Sequence, residues 1–154
     1  MDSRWGSLAV AVALAAPPPV AAQRITELGV QATALAADPG SIFGGAYAAI
    51  RASLRMRVSV AAGLGSADGV ATPRGEMLVH FLLNPTRKRG IGPYAAGGVA
   101  AVGGPVDEGY VVLTLGVESR PGAPSGWFLE AGVGGGARLA AGFRHRWLPP
   151  GWPY

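Results

Sequence analysis

Cysteine is absent from the 154 residues, and lysine occurs once. Without cysteine there is no disulfide framework and no thiolate metal site, and the redox compartment is left undecided. Charge is scarce as well. Asp, Glu, Lys and Arg make up 14% of the chain against a hydrophobic share of 49%, where soluble domains carry about 25% charge. Disorder needs the opposite balance, so a folded, apolar-rich product is expected. No run reaches the roughly 18–20 apolar residues that a membrane-spanning helix requires. Helical bundles are disfavoured too, because 25 glycines and 13 prolines would weaken helix interiors.

A net charge of +4 raises the question of nucleic acid. The one cationic cluster, Arg87-Lys88-Arg89, follows Asn84-Pro85 in a turn-like stretch. No aromatic residue interleaves with it to stack bases, so it reads as a solvated turn and no nucleic-acid partner is expected. The length suits one domain.

Residues 1–22 read as an export signal. Arg4 and the amino terminus form a short positive region, Leu8 to Ala16 is an apolar core, and Pro17-Pro18-Pro19 ends any helix. Val20-Ala21-Ala22 then supplies small residues before a cut ahead of Gln23. Removing this segment takes one acid (Asp2) and one base (Arg4), leaving the net charge unchanged. A barrel domain is expected over 23–147, with a short extension over 148–154.

Seven turn signals divide the rest into eight segments. They fall at Asp38-Pro39-Gly40, Arg51 to Leu54, Ser66 to Pro73, Asn84 to Gly90, Gly103-Gly104-Pro105, Pro121 to Gly126 and Gly134-Gly135-Gly136. Seven of the eight segments alternate with period two. The third is clearest: Leu54, Met56, Val58, Val60, Ala62 and Leu64 oppose Arg55, Arg57, Ser59, Ala61 and Gly63. A helix would scatter those arginines around its circumference. The fifth, Gly90 to Val102, is rich in Gly and Ala, and its two faces are not separable.

Alternation suits both a soluble sheet and a membrane barrel, so the polar face has to discriminate. That face carries arginine and glutamate interleaved with glycine and alanine. Small residues make room in a narrow bore, and each buried charge then needs an opposite partner, which the forked guanidinium suits. An interior charge network is therefore expected from Glu27, Arg55, Arg57, Glu76, Glu118, Glu130, Arg138, Arg144 and Arg146. Segment lengths agree with tilted spans of about 9–11 residues, and eight strands make a bore that side chains fill. Phe43, Trp127 and Trp147 lie near segment ends, where an interfacial girdle would be; Tyr94 and Tyr110 fit a girdle less well. The fold expected is all-β, an eight-stranded antiparallel up-and-down transmembrane β-barrel.

The stretches GPYAAGGVAAVGG (Gly92 to Gly104), LTLGVESR (Leu113 to Arg120) and WFLEAGVGGGARLAAGFRHRW (Trp127 to Trp147) resemble the small outer-membrane β-barrel proteins. This is the group related to the OmpA transmembrane domain and OmpX. The resemblance implies a Gram-negative outer membrane reached by export through the inner membrane, with both termini in the periplasm. It also implies short periplasmic turns, loops facing outward, and insertion by the barrel-assembly machinery. Interior Glu–Arg pairs would map onto Glu118 and Glu130 with nearby arginines. The final aromatic residue of the last strand would be Trp147, which Leu148 to Tyr154 follow.

The expected role is structural, a membrane-integrity barrel with no open pore, no enzyme activity and no cofactor, a monomer whose partner is outer-membrane lipid. The alternative is a soluble, lipocalin-like periplasmic binder of an apolar ligand, which needs the arginines outside. A third reading, a lipid-active hydrolase, would use His80 with Ser59 approaching across the third and fourth strands. Neither histidine has a second His or a Cys at ligand spacing. The match of Gly132 to Ala137 to a dinucleotide fingerprint lacks the helix that would give it meaning.

Overall fold

The structure, a computed structural model, describes residues 24–38, 40–104 and 107–152. The expected export segment lies outside them. Eight strands follow one another: β1 (Thr26–Ala36), β2 (Ser41–Arg51), β3 (Met56–Ala67), β4 (Val70–Leu82), β5 (Ile91–Val102), β6 (Glu108–Ser119), β7 (Ser125–Val133) and β8 (Ala137–Trp147). Each pairs antiparallel with the next, and β8 pairs with β1 to close an up-and-down barrel. Closure leaves no unpaired edge.

The register sets the shape. One row of partners runs through Thr26, Ile50, Val58, Val79, Gly97, Leu113, Val133 and Ala137, and returns to β1 at Ala36. The row therefore comes back ten residues along the strand on which it began. With a rise of about 3.3 Å and a strand spacing of about 4.8 Å, this shear tilts the strands about 41° from the axis. An eleven-residue strand such as β1 then climbs about 27 Å along the axis.

The connections at the end where β1 begins and β8 finishes, the terminal end, are residues 52–55, 83–90 and 120–124. Those at the far end are 37–40, 68–69, 103–107 and 134–136. The longest connection thus lies at the terminal end, opposite to the short turns that the family resemblance implies there. Asp68-Gly69 is a two-residue hairpin turn with φ of 51° and 75°, the left-handed pair that Asp-Gly accepts.

That tight turn differs from the broad break expected over Ser66 to Pro73. Ladder pairing instead continues from Ser66↔Ala71 to Leu64↔Pro73. Pro73 is tolerated because its carbonyl accepts from Gly103 N at 3.0 Å. Its missing N–H therefore points toward β5, just beyond the last β4–β5 pair, Arg74↔Val102. At the start of β3 the strand is shorter than expected. Ser53 Oγ accepts from Met56 N at 3.1 Å, and the N–H groups of Ala52 and Ser53 both donate to Met56 O, so the turn extends to Arg55.

Candidate functional site

Period-two alternation sorts the side chains into two populations. Pointing outward among the described residues are 24 large hydrophobic residues, each at least 38% exposed, from Leu28 on β1 to Trp147 on β8, with Leu54 and Leu83 in the connections. No Asp, Glu, Lys or Arg lies on the outward face of any of the eight strands; His145 is the one titratable group there. Pointing inward and buried are six arginines and four glutamates among the described residues. The barrel is apolar outside and charged within.

The interior charges form two clusters stacked along the axis. Near the terminal end, Glu118 Oε2 accepts from Arg57 Nη1 and Arg146 Nη2, both at 2.9 Å, and from Arg144 Nη2. Glu27 Oε1 accepts from Arg51 Nε at 3.2 Å, and its carboxylate lies 3.5–3.6 Å from Arg57, Arg144 and Arg146. Four guanidinium groups thus face two carboxylates. Loop carbonyls supply the balance: Arg51 donates to Pro85 O at 3.1 Å and Pro121 O at 2.8 Å, and Arg146 to Ala123 O at 3.1 Å. These bonds draw loops 83–90 and 120–124 over the mouth, where Pro85, Pro121 and Gly122 are buried. These carbonyls offset part of the unequal buried charge, while Glu27 Oε2 and the Nε atoms of Arg57, Arg144 and Arg146 have no hydrogen-bond partner.

The second cluster, toward the far end, is neutral. Arg138 bridges Glu76 Oε1 and Glu130 Oε2, each at 2.8 Å. Arg74 donates to Glu76 Oε2 at 2.7 Å and to the Tyr110 hydroxyl. Tyr94 donates to Glu130 Oε1 at 2.9 Å. Aromatic rings separate the clusters: Arg144 lies 4.6 Å over Phe128 and donates to Tyr47 at 3.1 Å. Glycines make the space. A Cβ on Gly116 would meet the Tyr94 ring, and one on Gly142 the Phe128 ring. Leu35, Phe43 and Val102, with Tyr110 against them, pack the far mouth.

Of the residues expected in the network, Glu27, Arg57, Glu76, Glu118, Glu130, Arg138, Arg144 and Arg146 lie buried in the bore. Arg55 does not. It has the parity of Arg57 but stands in the Ser53 turn, beyond the ladder, and is exposed. Arg51 and Arg74 belong to the network and were missed. Arg74 shares the parity of Glu76, and Arg51 that of Tyr47 and Ala49, so inward alternation carried the signal for both. Phe43, expected in a girdle, points inward beneath Arg74, as the parity of Tyr47 requires.

The fifth segment resolves into an inward row of Gly92, Tyr94, Ala96, Gly98, Ala100 and Val102. Tyr94 and Tyr110 are hydrogen-bonded interior residues, not girdle ones.

His80 and Ser59 do meet, Nε2 lying 2.7 Å from Oγ. The arrangement is the reverse of a nucleophile–base pair. Arg57 Nη2 lies 3.1 Å from His80 Nδ1, and a guanidinium can only donate. Nδ1 therefore accepts, the ring proton sits on Nε2, and His80 donates to Ser59 rather than taking its proton. A base-orienting carboxylate on Nδ1 is replaced by a cation. Among the described residues no group of three His, Asp or Glu is placed to hold a metal ion.

The class that these features define is the small closed β-barrel of eight antiparallel strands. No protein-family model matches the chain, and no curated protein matches it at a significant level.

Proposed function

We propose that this chain is a transmembrane barrel of a Gram-negative outer membrane, an integral wall component rather than an enzyme or carrier. One observation carries the reading: the outward faces of all eight strands lack Asp, Glu, Lys and Arg while ten such residues fill the bore. Water would leave an apolar belt around the whole barrel unburied, whereas soluble monomers rarely expose apolar patches beyond a few hundred Å². A bilayer solvates that belt, and the climb of about 27 Å matches a lipid-facing band of about 25 Å. The export signal read over residues 1–22 and the resemblance to small outer-membrane barrels support the same location, reached with the help of the barrel-assembly machinery.

Arg57, Arg144 and His80, each 0% exposed, support a bore closed to solutes and with it a structural role. A soluble binder of an apolar ligand would need a greasy cavity where the salt-bridged clusters stand. The test is fractionation after expression with the native leader. Recovery in outer-membrane fractions, with a gel mobility that shifts on boiling, is expected. A folded monomer in the soluble periplasmic fraction would overturn the reading.

A further inference from the structure

The exposed charges are segregated by sign. Arg24, Arg55, Arg87, Lys88, Arg89 and Arg120 all lie at the terminal end, in the lead-in to β1 and the three connections there. Asp38, Asp68, Asp107 and Glu108 all lie at the far end. The chain therefore presents one cationic and one anionic rim among the described residues. Tryptophan follows the same division. Trp127 and Trp147 point outward at the terminal end of β7 and β8, 46% and 51% exposed, and Trp152 lies just beyond β8.

Within the cationic rim the β2–β3 turn and the β4–β5 loop enclose a shallow groove lined by Leu54, Arg55, Leu83, Asn84, Pro85 and Arg87. Leu54 and Leu83 are each 50% exposed, continuing the apolar belt to the groove. The loop is held in place from three sides: Arg51 donates to Pro85 O, Gly122 N donates to Arg87 O at 2.9 Å, and Arg87 Nη1 donates to Ile91 O at 3.1 Å. Arg87 is thus carried on an anchored loop, and Arg55 on the turn that Ser53 closes.

The geometry points to a binding groove for the phosphate headgroup of an anionic phospholipid in the leaflet at the terminal end. Leu54 and Leu83 meet the upper acyl chains, and Arg55 and Arg87 face the phosphate, two of whose oxygens a forked guanidinium can bond at once. This inference rests on the bilayer reading above. Near an anionic membrane surface each such cation favours association by about fivefold.

The test uses the chain with Trp5, Trp127, Trp147 and Trp152 replaced by phenylalanine and with Phe81→Trp, an outward position of β4 paired with Met56, so that emission comes from the wall just beneath the groove. The protein is reconstituted with brominated phosphatidylcholine or brominated phosphatidylglycerol, and tryptophan quenching gives the relative association constant of the two lipids. Expected is a preference for phosphatidylglycerol that compounds about fivefold for each of the two arginines. It should fall by that factor in R55Q/R87Q, whose rim keeps Arg24, Lys88, Arg89 and Arg120, and toward unity for the unmodified rim at about 0.5 M salt, where the screening length is about 4 Å. Equal quenching by the two lipids overturns the groove and leaves the bilayer reading standing. Absence of quenching by either overturns both.

Discussion

Glu118 accepts from three guanidinium groups through one oxygen, so its charge is shared by Arg57, Arg144 and Arg146. Removing it while keeping its shape leaves four buried arginines with Glu27 alone. Breaking a buried pair by deleting one partner costs about 3–5 kcal/mol, chiefly because the other charge stays uncompensated. Glu118→Gln should therefore lower the unfolding free energy by about that amount. Urea titration in detergent micelles, followed by circular dichroism, measures it. Glu130→Gln should cost less, since Arg138 keeps Glu76 and the amide oxygen still accepts from Tyr94. Equal losses for the two variants would mean that the clusters are not electrostatically distinct.

A strand of this barrel is two half-strands interleaved, one exposed and one buried in the bore. On β6, Leu113 and Leu115 are 58% and 72% exposed while Val112 and Glu118 are buried. Leu113 lies near mid-strand, so in the bilayer reading it faces the centre of the hydrocarbon. Leu113→Arg should then destabilise the barrel by about 2–4 kcal/mol in lipid vesicles, as lipid-facing cations do at the midplane. On a water-facing sheet the same change would be close to neutral. An unfolding free energy in vesicles unchanged by Leu113→Arg would contradict a lipid-facing β6. The alternation that makes this prediction was legible residue by residue in seven segments. In β5 it was not, because Ala and Gly occupy both faces and only Tyr94 and its partner Glu130 show which side is inner.

At the scale of the molecule, closure joins the first strand to the last. β1 and β8 share eleven residue pairs, from Thr26↔Trp147 to Ala36↔Ala137. In the bilayer reading, a chain stopped at Gly136 would expose the unpaired edges of β1 and β7 to hydrocarbon, where each unsatisfied backbone group costs several kcal/mol. That truncated chain should give no heat-modifiable band and no protease-protected core. A protected core from seven strands would show that closure is dispensable. Closure also concentrates the charge: the ten buried arginines and glutamates come from seven of the eight strands, β5 contributing Tyr94 instead.

Composition and period-two patterning by themselves determined the strand count, the fold class and which parity carries the charge, because side-chain direction along a strand is a local property. Eight of the nine residues named for the network needed nothing more than that parity. Local pattern could not decide where a strand stops: Arg55 has the correct parity, but the Ser53 turn carries it out of the ladder. Nor could it decide which carboxylate meets which guanidinium. Glu118 and Arg57 are 61 residues apart, and only the ten-residue shear of the closed sheet brings them to one level of the bore. The separation of exposed cations and anions onto opposite rims has the same origin, since alternate connections share an end only once the strands run up and down around a closed wall.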